Sequence, residues 1–390
     1  TRQAEPLIPI GHEIAQEQFR LPLETEKDSY EASGKALGWK AENGKVVVSS
    51  SNVYFELDKA TGMVTSYKVN GTEFFDKAFG VQPNFWRAPN DNDYGNSNPK
   101  RLQIWKESSR DFKVSDTAVR EEGETVLMSV TYDLPAGNQY LITYRIYRDG
   151  VVNVNVKFTQ TDREAEKTEV LEDTNLATFT PGKKVKKKDV LEVPRIGVRF
   201  RIPHVMNRVE YFGRGPVENY VDRNAGSMVG RYKTSVEEMY VNYVRPQENG
   251  HRTDTRWVSF TNTVGRGLLV LAEKTIGFNA LQNTVEDFDS EESSHPYQWR
   301  NRSPKEVAGK NEAEAKNVLR RMTHVNDITP RDFVEVCIDM KQQGVAGYDS
   351  WGAKVQPGYT IPANRDYVWG FTLIPIKNVG DVNKSLRYTY

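Results

Sequence analysis

Apolar and polar residues alternate in one short run after another over most of this sequence. Val53, Phe55 and Leu57 occupy every second position of an early run. A β-strand directs successive side chains to opposite faces, so this spacing predicts strands with one buried and one solvent-facing side. Runs with the same period recur at 126–132, 140–148, 151–158, 195–202, 267–273, 333–340 and 367–373. The sequence therefore predicts an all-β protein in which the polar positions, including the arginines at 195, 199 and 201, face outward.

Short turn signals lie between several of these runs. Asn70-Gly71 follows one run and Asp149-Gly150 separates two others, and both dipeptides favour tight hairpins. Only 311–321 has a helical composition, and it lacks a clear apolar stripe. Half-buried strands joined by hairpins favour an antiparallel sandwich over an α/β fold. About fifteen runs exceed a single immunoglobulin-like sandwich of ~7–9 strands, so we expect one unusually large sandwich over 45–390.

The residues before position 45 differ from the rest. Residues 1–23 contain three prolines around one stretch that fits a single strand or a short helix. Residues 24–44 are polar and weakly periodic, which predicts a linker. The sequence does not begin with Met and shows no apolar signal-peptide core, so we expect an internal fragment of a longer protein.

The charge balance and the single cysteine exclude several classes of function. Fifty-three basic residues against fifty-three acidic ones give a formal net charge of zero, which argues against bulk nucleic-acid binding. The basic run at 183–188 is interpreted as a solvated hairpin tip. No stretch approaches the ~20 apolar residues of a membrane span. Cys337 alone can form neither an intrachain disulfide nor a cysteine-based zinc cluster, and its alternating context predicts a structural thiol.

The common hydrolytic and metal motifs are missing from the sequence. There is no Gly-x-Ser-x-Gly, and the His12-Glu13 pair has Gln16 where a zinc motif needs a second His. The Asn/Asp-rich stretch 90–95 fails the calcium-loop template, because its fifth position is Tyr94 and its twelfth is Arg101. We interpret it as a turn rich in Asn and Asp. Carboxylates are too numerous for spacing alone to select a glycosidase pair.

Two loops are candidates for binding a polar ligand. Trp351 lies between Gly347 and Gly352 beside Asp349 and Ser350, so a sugar ring could stack on its indole while the neighbours take hydroxyl groups. The other reading is a Trp buried at a strand end. The second loop contains candidate residues that could form a subsite or hold the loop itself: Glu248, Asn249, His251 and Arg252. Both readings stay open at this point. The aromatic-rich stretch 207–257, which contains the second loop, predicts an ordered loop system across a β-scaffold.

The chain resembles the carboxy-terminal, small-chain domain of the β-galactosidases of glycoside hydrolase family 2. Five segments carry the likeness in the same order as in that family: GHEIAQEQFRL at 11–21, FWRAPNDNDYG at 85–95, YFGRGPVENYVDR at 211–223, MYVNYVRPQENGHR at 239–252 and YDSW at 348–351. The third matches the pattern G-x-G-P-x-E-N-Y-x-D-R, and the last matches D-D-S-W with Tyr348 in place of the first Asp. Segment 11–21 is similar to the last strand of a preceding immunoglobulin-like domain.

This resemblance implies a β super-sandwich similar to galactose mutarotase. It also implies an enzyme that hydrolyses terminal β-galactosides with retention, through two Glu residues on a TIM barrel preceding this chain. The catalytic residues and a divalent cation, magnesium or calcium, would then belong to the barrel, with none in this chain. Trp351, with Asp349 and Ser350, is expected to contact the galactoside. Weaker candidates from the matching motifs are Glu248, Asn249, His251, Arg252, Arg87, Asp91 and Asp93.

Two other functions fit parts of the sequence. An independent aldose epimerase would pair a His acid with a Glu base, for which His204, His251 or His324 and Glu210 or Glu248 are available. The second is a purely structural module or a weak carbohydrate-binding module without catalysis. A mutarotation assay and a sugar titration would separate these functions from the leading one.

Overall fold

The computed structural model describes residues 2–23, 25–160, 192–289, 324–349 and 352–390. The predicted helix at 311–321, the basic run at 183–188 and the residues Ser350 and Trp351 lie outside the described residues.

The described part contains nineteen β-strands, numbered β1 to β19 in chain order. The strands are Asp28–Ser29, Gly38–Glu42, Lys45–Ser49, Val53–Asp58, Val64–Val69, Thr72–Glu73, Gln82–Asn84, Lys113–Glu122, Thr125–Asp133, Gln139–Ile146, Val152–Thr159, Arg195–Pro203, Arg208–Gly215, Met228–Ser235, Arg252–Thr261, Gly267–Leu281, Phe333–Gln342, Tyr367–Ile376 and Tyr388–Thr389.

Two antiparallel sheets contain almost all of these strands. The larger runs β14-β13-β15-β16-β18-β11-β10-β9-β8, and β16 also pairs with β17, which continues to β12 and β7. The smaller sheet runs β2 to β6 in chain order. The 15-residue strand β16 belongs to both arms of the large sheet, because its first half pairs with β18 and its second half with β17. The predicted large antiparallel all-β architecture is confirmed.

The apolar side chains of the alternating runs form one core between the two sheets. Val53, Phe55 and Leu57 of β4 join it from the small sheet, and Met128 and Val130 of β9 join it from the large one. This is the arrangement that period-2 patterning predicts for two packed sheets.

Tyrosine hydroxyls within this core bond to backbone of the opposing layer. Tyr132 donates to the Gly62 carbonyl at 2.7 Å, and Tyr67 donates to the Gly150 carbonyl at 2.5 Å. Each ring therefore fills the core while its polar end is satisfied. These bonds tie the small sheet to the large one.

The predicted hairpins are present. Val69 of β5 pairs with Thr72 of β6 across Asn70 and Gly71, which both adopt positive φ. Gly tolerates this conformation, and Asn does so better than most residues, so the dipeptide suits the turn. The run 140–148 also turns back on 151–158, as β10 and β11.

The prediction that the polar side of β12 faces solvent is wrong. Ile196, Val198 and Phe200 are buried in the main core, but Arg195 and Arg199 on the other face are buried as well. Loops and short helices cover that second face, so the strand is buried on both sides. Period-2 alternation identified the strand correctly, but it could not show that a second layer covers the polar side.

The segment before position 45 contributes strands to the sandwich. Residues 38–42 form β2, which pairs with β3, although the sequence predicts a linker at 24–44. Tyr30 packs on Tyr147 and Tyr390, where a second apolar cluster lies against the outer face of the large sheet. The described residues of 2–23 contain no β-strand, and Gln18 bonds to the backbone of Val229.

Six short α-helices occur in the described part, none of which the sequence analysis predicted. They are α1 Asp91–Gly95, α2 Asn98–Arg101, α3 Gln103–Ser108, α4 Val236–Met239, α5 Val285–Phe288 and α6 Gly380–Ser385. Each is too short to show a helical period in the sequence. No helix in the described ranges is long and apolar enough to cross a membrane.

A surface turn held by two motif segments

The backbone that leaves β17 runs beneath the candidate sugar-binding turn. Residues 343–346 are buried although they belong to no strand, and 347–349 emerge at the surface. Tyr348 is 61% exposed. Buried backbone amides and carbonyls need partners, and no neighbouring strand supplies them to 345–346. Their partners come from side chains of the two motif segments 85–95 and 211–223.

Arg87 holds the two residues before this pair, 343–344, from a fully buried position. Its guanidinium donates to the carbonyl of Gln343 at 2.7 Å and to that of Gly344 at 2.9 Å. The same group forms an ion pair with the buried carboxylate of Asp93 at 2.9 Å. A guanidinium has several donors in one plane, so it can hold a carboxylate and two carbonyls together.

Asp222 supplies the second set of contacts. Its two carboxylate oxygens accept hydrogen bonds from the amides of Val345, at 3.0 Å, and Ala346, at 2.8 Å. The carbonyls of the same two residues accept from the side chains of Asn92, at 2.9 Å, and Arg223, at 3.0 Å. Every backbone polar group of residues 345–346 is therefore bonded to one of the two motif segments.

The end of α1 and the following Asn96 contact the backbone after the turn, at 352–353. Asn96 donates to the carbonyl of Ala353 at 3.4 Å, and an added Cβ on Gly95 would lie 3.3 Å from the Cα of Gly352. Asp349 closes the turn by accepting from the amide of Ala353 at 3.1 Å. Residues on both sides of 350–351 are thus anchored to one short segment.

The α1 segment is itself stabilised by a reciprocal cap. The side chain of Asn90 accepts from the amide of Asp93, and the carboxylate of Asp93 accepts from the amide of Asn90. Asn98 also donates to Asp93 at 2.6 Å. The Asn/Asp-rich stretch, which was interpreted from the sequence as a turn, is therefore a short capped helix. Its carboxylate at position 93 holds Arg87 in place.

The second candidate loop, 248–252, is packed inward. His251 stacks on Tyr220 with ring centroids 5.6 Å apart, and Arg252 donates to the hydroxyl of Tyr211. Asn249 bonds to the backbone of Val241 and Gln247. These side chains are buried against protein partners.

Glu248 belongs to a buried ion network on the covered face of β12. Its carboxylate accepts from Arg195 at 2.9 Å and from Gln342 at 3.0 Å. Arg195 and Asp339 are both completely buried, and Arg195 Nε lies 3.2 Å from Asp339 Oδ1. His251 Nδ1 lies 3.8 Å from the other Asp339 oxygen. One guanidinium therefore faces two carboxylates, which makes full ionisation of both costly.

This arrangement favours the protonated form of the Asp339 carboxyl group. The pKa of Asp339 is raised from 3.8 to about 7; burial is the main cause, Arg195 opposes the rise and Glu248 adds to it. Burial, together with the nearby arginines, lowers the pKa of His251 well below its usual value. Burial also raises the pKa of the Cys337 thiol, which is consistent with its predicted structural role.

A pH-dependent stability is expected from Asp339. Because the folded pKa lies above the unfolded one, its stabilising contribution is complete below pH 3.8 and is lost as the pH rises to about 7. Asn at this position does not titrate. The free energy of unfolding of Asp339→Asn, relative to the native chain, should increase by at least about 1 kcal/mol between pH 5 and pH 8, since one pKa unit is worth about 1.4 kcal/mol.

Urea unfolding at the two pH values measures this difference. His251 titrates in the opposite sense, but it is present in both proteins and its contribution largely cancels. An equal stability difference at pH 5 and pH 8 would show that Asp339 does not change protonation in this range.

The structure brings some of the predicted site residues together and separates others. Ser350 and Trp351 lie outside the described residues, while Asp349 is exposed beside them. Asp91 is also exposed and pairs with Arg245. Burial favours a supporting role over direct substrate contact for the remaining weaker candidates, namely Arg87, Asp93, Glu248, Asn249, His251 and Arg252.

Several supporting residues were missed by the sequence analysis. Asp222, Arg223 and Asn92 bond directly to the backbone under the turn. Glu218 accepts from the amide of Gly250 at 2.7 Å, and Asn219 accepts from that of Thr253 at 3.0 Å. Asn92 lies in the motif segment 85–95 and the others lie in the motif segment 211–223, so the signal was present but gave no indication of partners.

The residues that an epimerase would use do not form an exposed His–Glu pair in the described structure. His204 pairs with Glu237 at the surface, and Glu210 pairs with Arg231. His251 and Glu248 are enclosed in the buried network. Among the described ranges no three His, Cys, Asp or Glu side chains are placed to hold a metal ion.

The motif segments 85–95, 211–223 and 239–252, together with 343–349, form one loop cluster. The fold and this loop cluster define a large β-sandwich domain that presents one anchored surface turn. The family model of the β-galactosidase small chain matches residues 49–373 of this sequence, so the chain belongs to the β-galactosidase small-chain family. It is 33% identical to a β-galactosidase of Priestia megaterium over 94% of its length, and 27% identical to one of Streptococcus thermophilus over 96%. The chain spans only 30% and 31% of these relatives.

The comparison with solved structures finds a galactose mutarotase related enzyme from Lactobacillus acidophilus. That comparison covers 86% of this chain and 98% of the other, with a TM-score of 0.41 and 8% sequence identity. A galactose mutarotase-like protein from Lactobacillus casei gives a TM-score of 0.38. Such low scores do not establish a shared fold, so the family assignment depends on the sequence comparisons.

Proposed function

We propose that this chain is the carboxy-terminal, non-catalytic part of a β-galactosidase. In this proposal a TIM barrel outside the chain carries both catalytic Glu residues and the divalent cation. The barrel packs against the loop cluster, and the turn with Asp349, Ser350 and Trp351 completes the galactoside pocket. Family membership supports this proposal, as does the chain's coverage of about 30% of relatives named β-galactosidase.

The observation that carries the proposal is the anchoring of this turn. Protein surface loops that bind ligands are usually held by a rigid scaffold. Here ion-paired and hydrogen-bonded side chains fix the backbone immediately before the turn, and Asn96 bonds just after it. That degree of support is more than an exposed connection needs. It suits a turn that presents an aromatic ring to a sugar in a fixed orientation.

Replacing Trp351 by Ala tests the proposed sugar contact. The change removes the ring on which the sugar would stack, so the Kd for galactose, measured by isothermal calorimetry on this chain, should rise at least about tenfold, or about 1.4 kcal/mol. Trp39→Ala is the matched control, because Trp39 is a partly exposed Trp on β2 of the small sheet. Its affinity should equal that of the native chain.

Equal affinities of native chain and Trp351→Ala would contradict the proposed contact. The proposal also expects no hydrolysis of a chromogenic β-galactoside by the purified chain, since both catalytic Glu residues would lie elsewhere. Turnover that survives purification to homogeneity would contradict the non-catalytic role.

A further inference from the structure

Two glycines flank a single buried carboxyl group in the large sheet. Gly197 of β12 and Gly277 of β16 each pair with Asp339 of β17, one on either side. An added Cβ on Gly197 would come within 2.1 Å of Asp339 Oδ1, and one on Gly277 would come within 2.6 Å of Cε1 of His251. The carboxyl group and the imidazole ring therefore occupy the space that the two glycines leave, and a larger side chain at either position would collide with them.

The two carboxyl groups beside Arg195 differ in the hydrogen bonds that they receive. Glu248 accepts from Arg195 at 2.9 Å, from Gln342 at 3.0 Å and from Asn279 at 3.4 Å. Both oxygens of Asp339 are buried, and neither accepts a hydrogen bond from any of the described residues. Donors stabilise the ionised form of a carboxyl group, whereas burial without donors favours its neutral form. Of the two groups, Asp339 therefore holds a proton more readily.

His251 offers this proton an acceptor. Its Nδ1 lies 3.8 Å from Asp339 Oδ2 and has no hydrogen-bond partner among the described residues. A hydrogen bond needs a separation of about 2.7–3.2 Å, so a movement of roughly 1 Å joins the two groups. A neutral imidazole donates at one nitrogen and accepts at the other. Nδ1 can therefore accept from a protonated carboxyl group or donate to an ionised one.

We propose that Asp339 and His251 form a buried proton pair in which the tautomer of the imidazole follows the protonation of the carboxyl group. At low pH the carboxyl group donates its proton to Nδ1, and Nε2 carries the ring proton. As the pH rises, the carboxyl proton passes to Nδ1 and the proton on Nε2 leaves to solvent. One proton is lost overall, the ring is neutral in both states, and the loop 248–252 stays bonded to β17 throughout.

The groups that surround the pair are compatible with this exchange. The charged and titratable ones are Arg195 on β12, Glu248 and Arg252 in the loop 248–252, Arg87 in the motif segment 85–95, Cys337 on β17, and Tyr220, whose ring stacks on His251. Burial raises the pKa of the Cys337 thiol and that of the Tyr220 hydroxyl, so both keep their protons at neutral pH. Burial and the arginines lower the pKa of His251, which disfavours a doubly protonated ring.

Nitrogen NMR of the imidazole ring reports the tautomer directly. The chain has five histidines, and replacing the other four by Gln leaves His251 as the single signal. Between pH 5 and pH 9 the ring proton should move from Nε2 to Nδ1, with a midpoint near the pKa of Asp339, about 7. Asp339→Asn has no carboxyl proton to lose, so its ring should keep one tautomer over the whole range.

Two further variants of the single-histidine chain test the source of the proton. Glu248 raises the pKa of Asp339, so Glu248→Gln should move the midpoint to lower pH. Asp332→Asn is the matched control, because Asp332 pairs with Lys77 at an exposed position. Its midpoint should equal that of the single-histidine chain.

Any of three results would overturn the proposal. The ring could keep one tautomer from pH 5 to pH 9, it could be doubly protonated at pH 5, or the exchange could persist with the same midpoint in Asp339→Asn. If Asp339→Asn does not fold, Glu248→Gln decides instead, because an unchanged midpoint in that variant would show that the exchange does not follow Asp339.

Discussion

Replacing Arg195 by Met is expected to destabilise the chain by about 3–5 kcal/mol, because it leaves buried carboxylates without their cation. Arg195 is completely buried, bonds to Glu248 at 2.9 Å and lies 3.2 Å from Asp339. Met fills a similar volume but provides no charge and no donor. Asp339 can become neutral by binding a proton, so the loss should be larger at pH 8 than at pH 5. Urea unfolding at both pH values measures the effect.

Arg120→Met is the matched control for this experiment. Arg120 lies on β8 and pairs with Glu122, and their side chains are 68% and 44% exposed. Exposed pairs contribute about 0–1 kcal/mol, so this variant should stay close to the native chain. If Arg195→Met lost no more stability than Arg120→Met, the buried carboxylates would not depend on Arg195.

Arg87→Met is expected to cost a similar amount, about 3–5 kcal/mol, for the same reason. The change would leave Asp93 as an unpaired buried carboxylate and would remove the donors to Gln343 and Gly344. It differs from Arg195→Met in its location, because these contacts lie directly before the surface turn. Loss of global stability should therefore be accompanied by a changed Trp351 environment. Urea unfolding and tryptophan emission measure the two effects.

The control for Arg87 lies in the same loop cluster. Arg245 pairs with the exposed Asp91 and lies 3.8 Å from the ring of Tyr94. Arg245→Met removes a surface pair and a cation–π contact, so we expect a loss of about 1 kcal/mol or less. Equal losses in Arg87→Met and Arg245→Met would show that burial of the Arg87–Asp93 pair does not raise its contribution to stability.

The strands could be predicted from local pattern because their side chains alternate at short range. Val53, Phe55 and Leu57 show which face of β4 is buried, and Asn70-Gly71 shows where β5 turns back. The burial of Arg195 and Arg199 could not be predicted in this way, because an alternating pattern defines an apolar face but does not show what covers the polar one. The short helices were missed because one turn of helix has no detectable period.

The candidate site was predictable to a smaller extent. The motif segments marked where the chain is unusual, and Asp349 is exposed as a surface turn requires. The motif alone gave no basis for separating residues that contact a ligand from residues that hold a loop. Arg87, Asp93 and Asp222 belong to the second kind in the described structure. The backbone partners of Arg87 and Asp222, at 343–346, are more than 120 positions away in the sequence.

By itself the sequence determined the all-β class, the hairpins and the family to which the chain belongs, because these depend on patterns within a few neighbouring positions. Tertiary structure alone decided that β12 is buried on both faces, that Asp339 shares one guanidinium with Glu248, and that Asp222 lies against the amides of Val345 and Ala346. The physical reason is that burial and ion pairing depend on which distant segments meet. A charged residue has the same letter in the sequence whether it faces water or a buried partner.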